Sequence, residues 1–137
     1  MQMKKFTSIL LVFMMLALLC SSAYAALPET VQPLWNNVEE AYVEISFSSS
    51  GNGCAAGYVI GNPGTTKITV RLSIYVDEDG EWVLLGGNTE SVNGSNLSVD
   101  KSFNAVSGKY YKAVLTFMVT KNGVMESDRV YAYATCP

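Results

Sequence analysis

Between Lys67 and Val76 every second residue is aliphatic: Ile68, Val70, Leu72, Ile74 and Val76 alternate with Lys67, Thr69, Arg71, Ser73 and Tyr75. A period of two over ten residues gathers those five side chains on one face of a strand, whereas a helix would scatter them around its circumference. Asp77-Glu78-Asp79-Gly80 breaks the pattern with turn-forming residues, and Glu81 to Gly87 supplies a return strand. Pairing across a four-residue turn sets Val76 against Glu81, Tyr75 against Trp82, Ile74 against Val83 and Leu72 against Leu85. Buried residues are then expected to meet buried residues.

A second hairpin is equally legible. Asn122-Gly123 is the preferred pair for a two-residue type I′ turn, and it joins Lys109–Lys121 to Val124–Thr135. The implied inward pairs are Leu115 with Val130, Ala113 with Ala132 and Tyr111 with Ala134. Lys112 with Tyr133, Val114 with Tyr131 and Thr116 with Arg129 face out. Near the tip the same register buries Glu126 and Asp128, so a bulge or slip is expected there. Ala41, Val43, Ile45 and Phe47 alternate with Tyr42, Glu44 and Ser46, and Cys54 to Ile60 forms another strand closed by Gly61-Asn62-Pro63-Gly64. Leu97 to Ala105 completes the set, with its parity faltering at Asp100-Lys101. Seven strands with frequent turns and no helical periodicity predict an all-β, single-domain antiparallel sandwich.

The N-terminus reads differently. A basic start at Lys4 and Lys5, an apolar stretch from Ile9 to Leu19 and the small-residue motif Ala23-Tyr24-Ala25 predict a signal peptide over residues 1–25. The apolar stretch is too short to span a bilayer, and no later segment is long enough either. Residues 26–37, which contain two prolines, form a leader that Trp35 is expected to dock, and residues 38–137 form the sandwich. Without Lys4 and Lys5, seven basic residues face twelve acidic ones. Such a chain is a poor ligand for nucleic acid or anionic membranes. Histidine is absent, which excludes Ser-His-Asp and Cys-His catalysis and any histidine metal site. No catalytic residue, metal site or cofactor is expected.

Cys20 falls in the signal segment, Leu19 before it being a poor fit to lipoprotein processing. Cys54 and Cys136 remain, and in an oxidising compartment two thiols most simply form one disulfide. Closing a loop of about 80 residues, it would contribute roughly 4 kcal/mol on a chain-entropy basis.

The strand count and turn-rich layout resemble the immunoglobulin-like sandwich. Ser107-Gly108-Lys109-Tyr110-Tyr111 stands where such folds place a buried tyrosine whose hydroxyl caps the preceding loop. Cys136 is in the wrong strand for the antibody bridge and the third strand lacks its buried Trp, so antibody-type domains are excluded. Tyr42-Val43-Glu44-Ile45-Ser46, Thr65-Thr66-Lys67-Ile68, Gly80-Glu81-Trp82 and Ser107-Gly108-Lys109-Tyr110-Tyr111 together are similar to an uncharacterised family of small exported proteins of Clostridia-type Gram-positive bacteria. That resemblance implies a secreted β protein and transfers no functional residue.

Three local motifs carry no chemistry. Asp77, Glu78, Asp79 and Glu81 lack the length and flanking helices of a calcium-binding EF-hand, and acids on one turn cannot be held across a substrate cleft. Leu27-Pro28-Glu29-Thr30 imitates a sortase signal but is followed by Val31 at the wrong end of the chain. Asn93-Gly94-Ser95 and Asn96-Leu97-Ser98 are glycosylation sequons only in a eukaryotic source. The sheet face opposite the core is more informative. If the two hairpins share a sheet, Tyr75, Trp82, Tyr110, Tyr131 and Tyr133 stand there with Arg71, Lys112 and Arg129. Aromatic rings interleaved with cations suit a face that binds an extracellular protein or a glycan, although strands also favour such residues for cross-strand pairing alone. The expected function is a secreted, non-enzymatic binding module, with a structural or assembly subunit of an envelope or matrix as the alternative.

Overall fold

Two tight turns lay out the larger sheet. In the computed structural model, which describes Leu34 to Pro137, Asp79 and Gly80 both have positive φ (56° and 89°), as do Asn122 and Gly123 (53° and 75°). Each pair is a two-residue type I′ turn, favoured because Asp, Asn and Gly tolerate the left-handed region. The first turn joins β3 (Thr65–Glu78) to β4 (Glu81–Val92), and the second joins β6 (Tyr110–Lys121) to β7 (Val124–Thr135). β3 also pairs with β6, giving the order β4-β3-β6-β7. β1 (Val38–Phe47), β2 (Asn52–Gly61) and β5 (Asn96–Asn104) form the opposing sheet, in the order β1-β2-β5. The architecture is an all-β, immunoglobulin-like sandwich of seven antiparallel strands, without helix among the described residues. The constant-type arrangement places the fourth strand beside the first, second and fifth. Here β4 pairs with β3, because a two-residue turn cannot carry the chain across the roughly 10 Å between sheets.

The core is the expected one along the central strands. Ile68, Val70, Leu72, Ile74 and Val76 of β3 meet Ala113, Leu115, Phe117, Val119 and Tyr111 of β6, all buried. Val43, Ala55, Val59 and Val99 face them from the smaller sheet. Tyr111 also forms the corner: its hydroxyl oxygen accepts the Val106 N–H at 2.7 Å, satisfying a donor in the turn before β6.

Four expectations are corrected. The first hairpin pairs Val76 with Val83 and Asp77 with Trp82, not Val76 with Glu81 and Tyr75 with Trp82, because its turn has two residues and not four. A bulge after Leu84 then shifts the ladder, so that Ile74 faces Gly86 and Leu72 faces Asn88. Val83 and Leu85 are 44% and 46% exposed, since β4 is an edge strand overhanging a sheet one strand narrower.

The β6-β7 register runs without a bulge from Tyr110 to Lys121, setting Glu126 against Val119 and Asp128 against Phe117. The two acids do lie on the inward side and are only partly exposed. The chain entering β1 supplies their partners. Trp35 Nε1–H donates to Asp128 Oδ2 at 2.7 Å, and the backbone N–H groups of Asn36 and Asn37 donate to the Glu126 carboxylate at 2.9 to 3.1 Å. The Trp35 ring meets Phe117 edge-on at 5.5 Å, and Asn37 Nδ2 donates to the carbonyls of Val119 and Val124. Trp35 therefore docks the end of the leader. The remainder of the leader and the expected signal peptide lie outside the described residues.

Cys54 and Cys136 are both free thiols, contrary to the expected disulfide. Alternation along β2 explains the difference. Gly53, Ala55, Gly57 and Val59 are buried, so Cys54 belongs to the set facing out, opposite Ser46 and Ser102. Cys136 packs into the other side with Val76 and Tyr111. Backbone bonds hold the end of the chain instead: Cys136 N–H donates to the Lys109 carbonyl, and Gly108 N–H donates to that of Cys136.

Candidate functional site

Alternation along four adjacent strands projects one set of side chains from the outer face of the β4-β3-β6-β7 sheet. Row by row across β3, β6 and β7, Tyr75, Lys112 and Tyr133 are neighbours, then Ser73, Val114 and Tyr131, then Arg71, Thr116 and Arg129. The sheet thus brings all seven candidate residues onto one face: Tyr75, Trp82, Arg71, Lys112, Arg129, Tyr131 and Tyr133. The corrected hairpin register leaves Trp82 on this face, because the turn is shorter by an even number of residues and parity survives.

The seven form two groups. Trp82 lies 5.6 Å from Tyr110 and 6.1 Å from Tyr133, ring centroid to centroid. Tyr133 is nearly parallel to Tyr110 at 6.0 Å and to Tyr131 at 6.4 Å. Lys112 Nζ sits 4.8 Å from the centre of the Tyr75 ring and 4.6 Å from that of Trp82. One ammonium held between two rings fixes their spacing and tempers the apolar character of the cluster. Arg71 and Arg129 stand one row beyond Tyr131 and two rows, about 13 Å along the strands, from Tyr75, Lys112 and Tyr133. They form a separate cationic row outside the aromatic cluster.

The rings remain open to solvent, at 38% for Trp82, 48% for Tyr131 and 52% for Tyr133. Leu84, opposite Tyr75, extends the apolar area, and Met118 stands exposed on the far side of the Arg71 and Arg129 row. Sequence reasoning missed both: Leu84 because the short turn moved its partner, Met118 because a lone methionine in a strand carries no signal. Among the described residues, no group of three Cys, Asp or Glu side chains is placed to hold a metal ion, and no helix is long and apolar enough to cross a membrane.

The outer face of the smaller sheet has a different chemistry. Tyr42 and Tyr58 pair across β1 and β2 with centroids 5.7 Å apart. Tyr58 donates its hydroxyl to Glu40 at 2.7 Å, and that bond to a carboxylate raises the Tyr58 pKa. Tyr42 donates to Glu44 at 3.3 Å. Asp100, on β5, is the third acid of this face.

Neither a protein-family model nor a curated protein matches the chain. Among solved structures, the chain is similar to a β-glucuronidase of Parabacteroides merdae, at 16% identity and a TM-score of 0.47. That match covers 69% of this chain and only 13% of the length of the glucuronidase. It is also similar to PapD-like domain 7 of human CEP192, at 13% identity, a TM-score of 0.43, and coverage of 82% of this chain and 96% of that one. A third likeness is to CsgH of R. palustris, at 11% identity, a TM-score of 0.40, and coverage of 70% and 92%.

Proposed function

We propose that this chain is a secreted, non-enzymatic binding module that recognises an extracellular protein or glycan through the outer face of its four-stranded sheet. The observation carrying this reading is the cluster of Trp82, Tyr75, Tyr110, Tyr131 and Tyr133 around Lys112 on a solvent-facing sheet. Strands need only one apolar face to fold, and the core already supplies it. Exposed rings preassembled on a rigid ladder offer large contact area at little cost in conformational entropy. Tyr, Trp, Arg and Met are enriched in interfaces while Lys, Asp and Glu are depleted, and apart from Lys67 and Lys112 this face follows that bias within an acidic chain. Export rests on the basic, apolar and small-residue pattern of residues 1–25. It agrees with the resemblance to small exported proteins of Clostridia-type bacteria.

The test compares the purified protein with Trp82→Ala on a glycan array and in pull-downs of extracellular proteins, with the unfolding midpoint measured alongside. Affinity for the captured partner should fall roughly tenfold or more, as for an interface anchor. Stability should change by only about 1 kcal/mol, the scale of cross-strand contacts. Strong destabilisation, or unchanged affinity in a stable variant, would remove Trp82 from the site. The alternative reading, an assembly subunit, is favoured by one observation, the contrast in charge between the two outer faces.

A further inference from the structure

That contrast is sharp. The outward positions of the four-stranded sheet hold Lys67, Arg71, Lys112 and Arg129 against one acid, Asp77. Those of the three-stranded sheet hold Glu40, Glu44 and Asp100, with no Lys or Arg among the described residues. The ion pair between Lys109 and Glu78 lies at the β3-β4 turn, so neither face spends its charges on a salt bridge within the described residues.

The spacing of the charges matches as well as their sign. Arg71, Thr116 and Arg129 occupy one row across β3, β6 and β7. Glu44, Ala56 and Asp100 occupy one row across β1, β2 and β5. In each row the charged residues flank one strand with a small side chain, so both pairs are roughly 9.6 Å apart at the backbone. Ala56 floors a depression of about 270 Å³ walled by Tyr42, Glu44, Tyr58 and Asp100. A guanidinium entering it meets carboxylates that accept its N–H groups and a tyrosine ring to lie against.

We propose that the outer face of the four-stranded sheet docks on the outer face of the three-stranded sheet of a second copy of this chain, with Arg71 and Arg129 on Glu44 and Asp100. The inference rests on the reading that the aromatic face binds, and it names the partner. Sheets stack face to face with their strands nearly aligned, which brings the two rows into register. In one of the two alignments Tyr131 then lies beside Tyr42 and Tyr58, because Tyr131 on one face and the Tyr42–Tyr58 pair on the other each stand in the row adjacent to the charges. The contact joins unlike faces, so an assembly of any length keeps one unused face at each of its two ends. The product is an open stack that lengthens with concentration, not a closed dimer. A contact three strands wide is small beside the roughly 800 Å² per partner of stable complexes, so the association is weak and falls with added salt.

Sedimentation velocity of the purified protein across a wide concentration range, at low and high salt, tests this. The weight-average mass should rise with concentration at low salt and fall back at high salt. Arg71→Glu with Arg129→Glu, and separately Glu44→Lys with Asp100→Lys, should each weaken association roughly tenfold or more, since like charges then face each other. Mixing the two double variants should restore association, a result that misfolding of either cannot produce. Wild-type protein that stays monomeric, variants that associate normally, or a mixture that stays monomeric would each overturn the proposal. If self-association fails while Trp82→Ala loses an extracellular partner, the binding face stands and only its occupant is wrong. If Trp82→Ala changes neither, the reading of the face itself fails.

Discussion

The indole N–H of Trp35 donates to Asp128 across 93 residues of sequence, and the same ring stands edge-on against Phe117 at 5.5 Å. One side chain thus satisfies an inward-facing acid and covers the neighbouring core ring. Trp35→Phe keeps the ring and removes the donor, and should cost about 1 to 2 kcal/mol. Trp35→Ala loses both, and should cost about 3 kcal/mol. Urea unfolding of the two variants separates the contributions; equal losses would mean that the ring contributes nothing.

Asp128 also predicts a pH dependence. The Trp35 hydrogen bond, followed by the bond from the Arg129 backbone N–H, holds its carboxyl below the ordinary value of 3.8. A depressed native pKa adds stability that is complete above the unfolded value and is lost as pH falls through the native one. Thermal midpoints should therefore drop below about pH 4. Asp128→Asn, which cannot titrate, should be less stable at neutral pH and show a shallower acid limb. An unchanged acid limb would show that this carboxylate does not contribute.

The two thiols should behave differently. Cys54 is partly exposed on the outer face of the smaller sheet, and Cys136 is buried beside Tyr111. A thiol reagent should label Cys54 in the native protein and Cys136 only after unfolding, read by intact mass. A native mass two hydrogens lighter than the reduced form would instead indicate a disulfide.

Removing the Tyr111 hydroxyl should leave the Val106 N–H without its partner in a part-buried turn. Tyr111→Phe should cost about 1 to 3 kcal/mol, with hydrogen exchange at Val106 accelerated more than in the central strands. A uniform change in exchange would show that the hydroxyl does not act locally.

Alternation made β3 and β6 readable residue by residue, because both are central strands buried on one side. The Asn122-Gly123 turn was explicit too. Asp79-Gly80 is its chemical equivalent, but neighbouring acids made the turn look longer, and the register error followed. Since the error was even, the outer face survived it. Glu126 and Asp128 look like a break in pairing from the local pattern, because their partners come from Trp35, Asn36 and Asn37, at the far end of the sequence. No local pattern announces such a partner. The faltering parity at Asp100-Lys101 has a similar origin: the β5 ladder is regular, and Lys101 takes an inward position where the rim between β4 and β5 is open to solvent. The acidic face was not legible: alternation in β1 marks Tyr42 and Glu44 as outward, but Glu40 lies next to a bulge and Asp100 belongs to a distant strand. Its correspondence with Arg71 and Arg129 became apparent only when the strand order placed Asp100 two strands from Glu44.

The anchoring of the two ends sets how this domain bears a load. Asn37 is tied to the tip of the β6-β7 hairpin, and Cys136 is tied to Lys109 at the start of β6. The attachment points therefore sit at opposite poles, separated by most of the length of a twelve-residue strand, roughly 35 to 40 Å. Tension applied between them runs along the strands, so hydrogen bonds must fail in parallel and cannot open one at a time like a zipper.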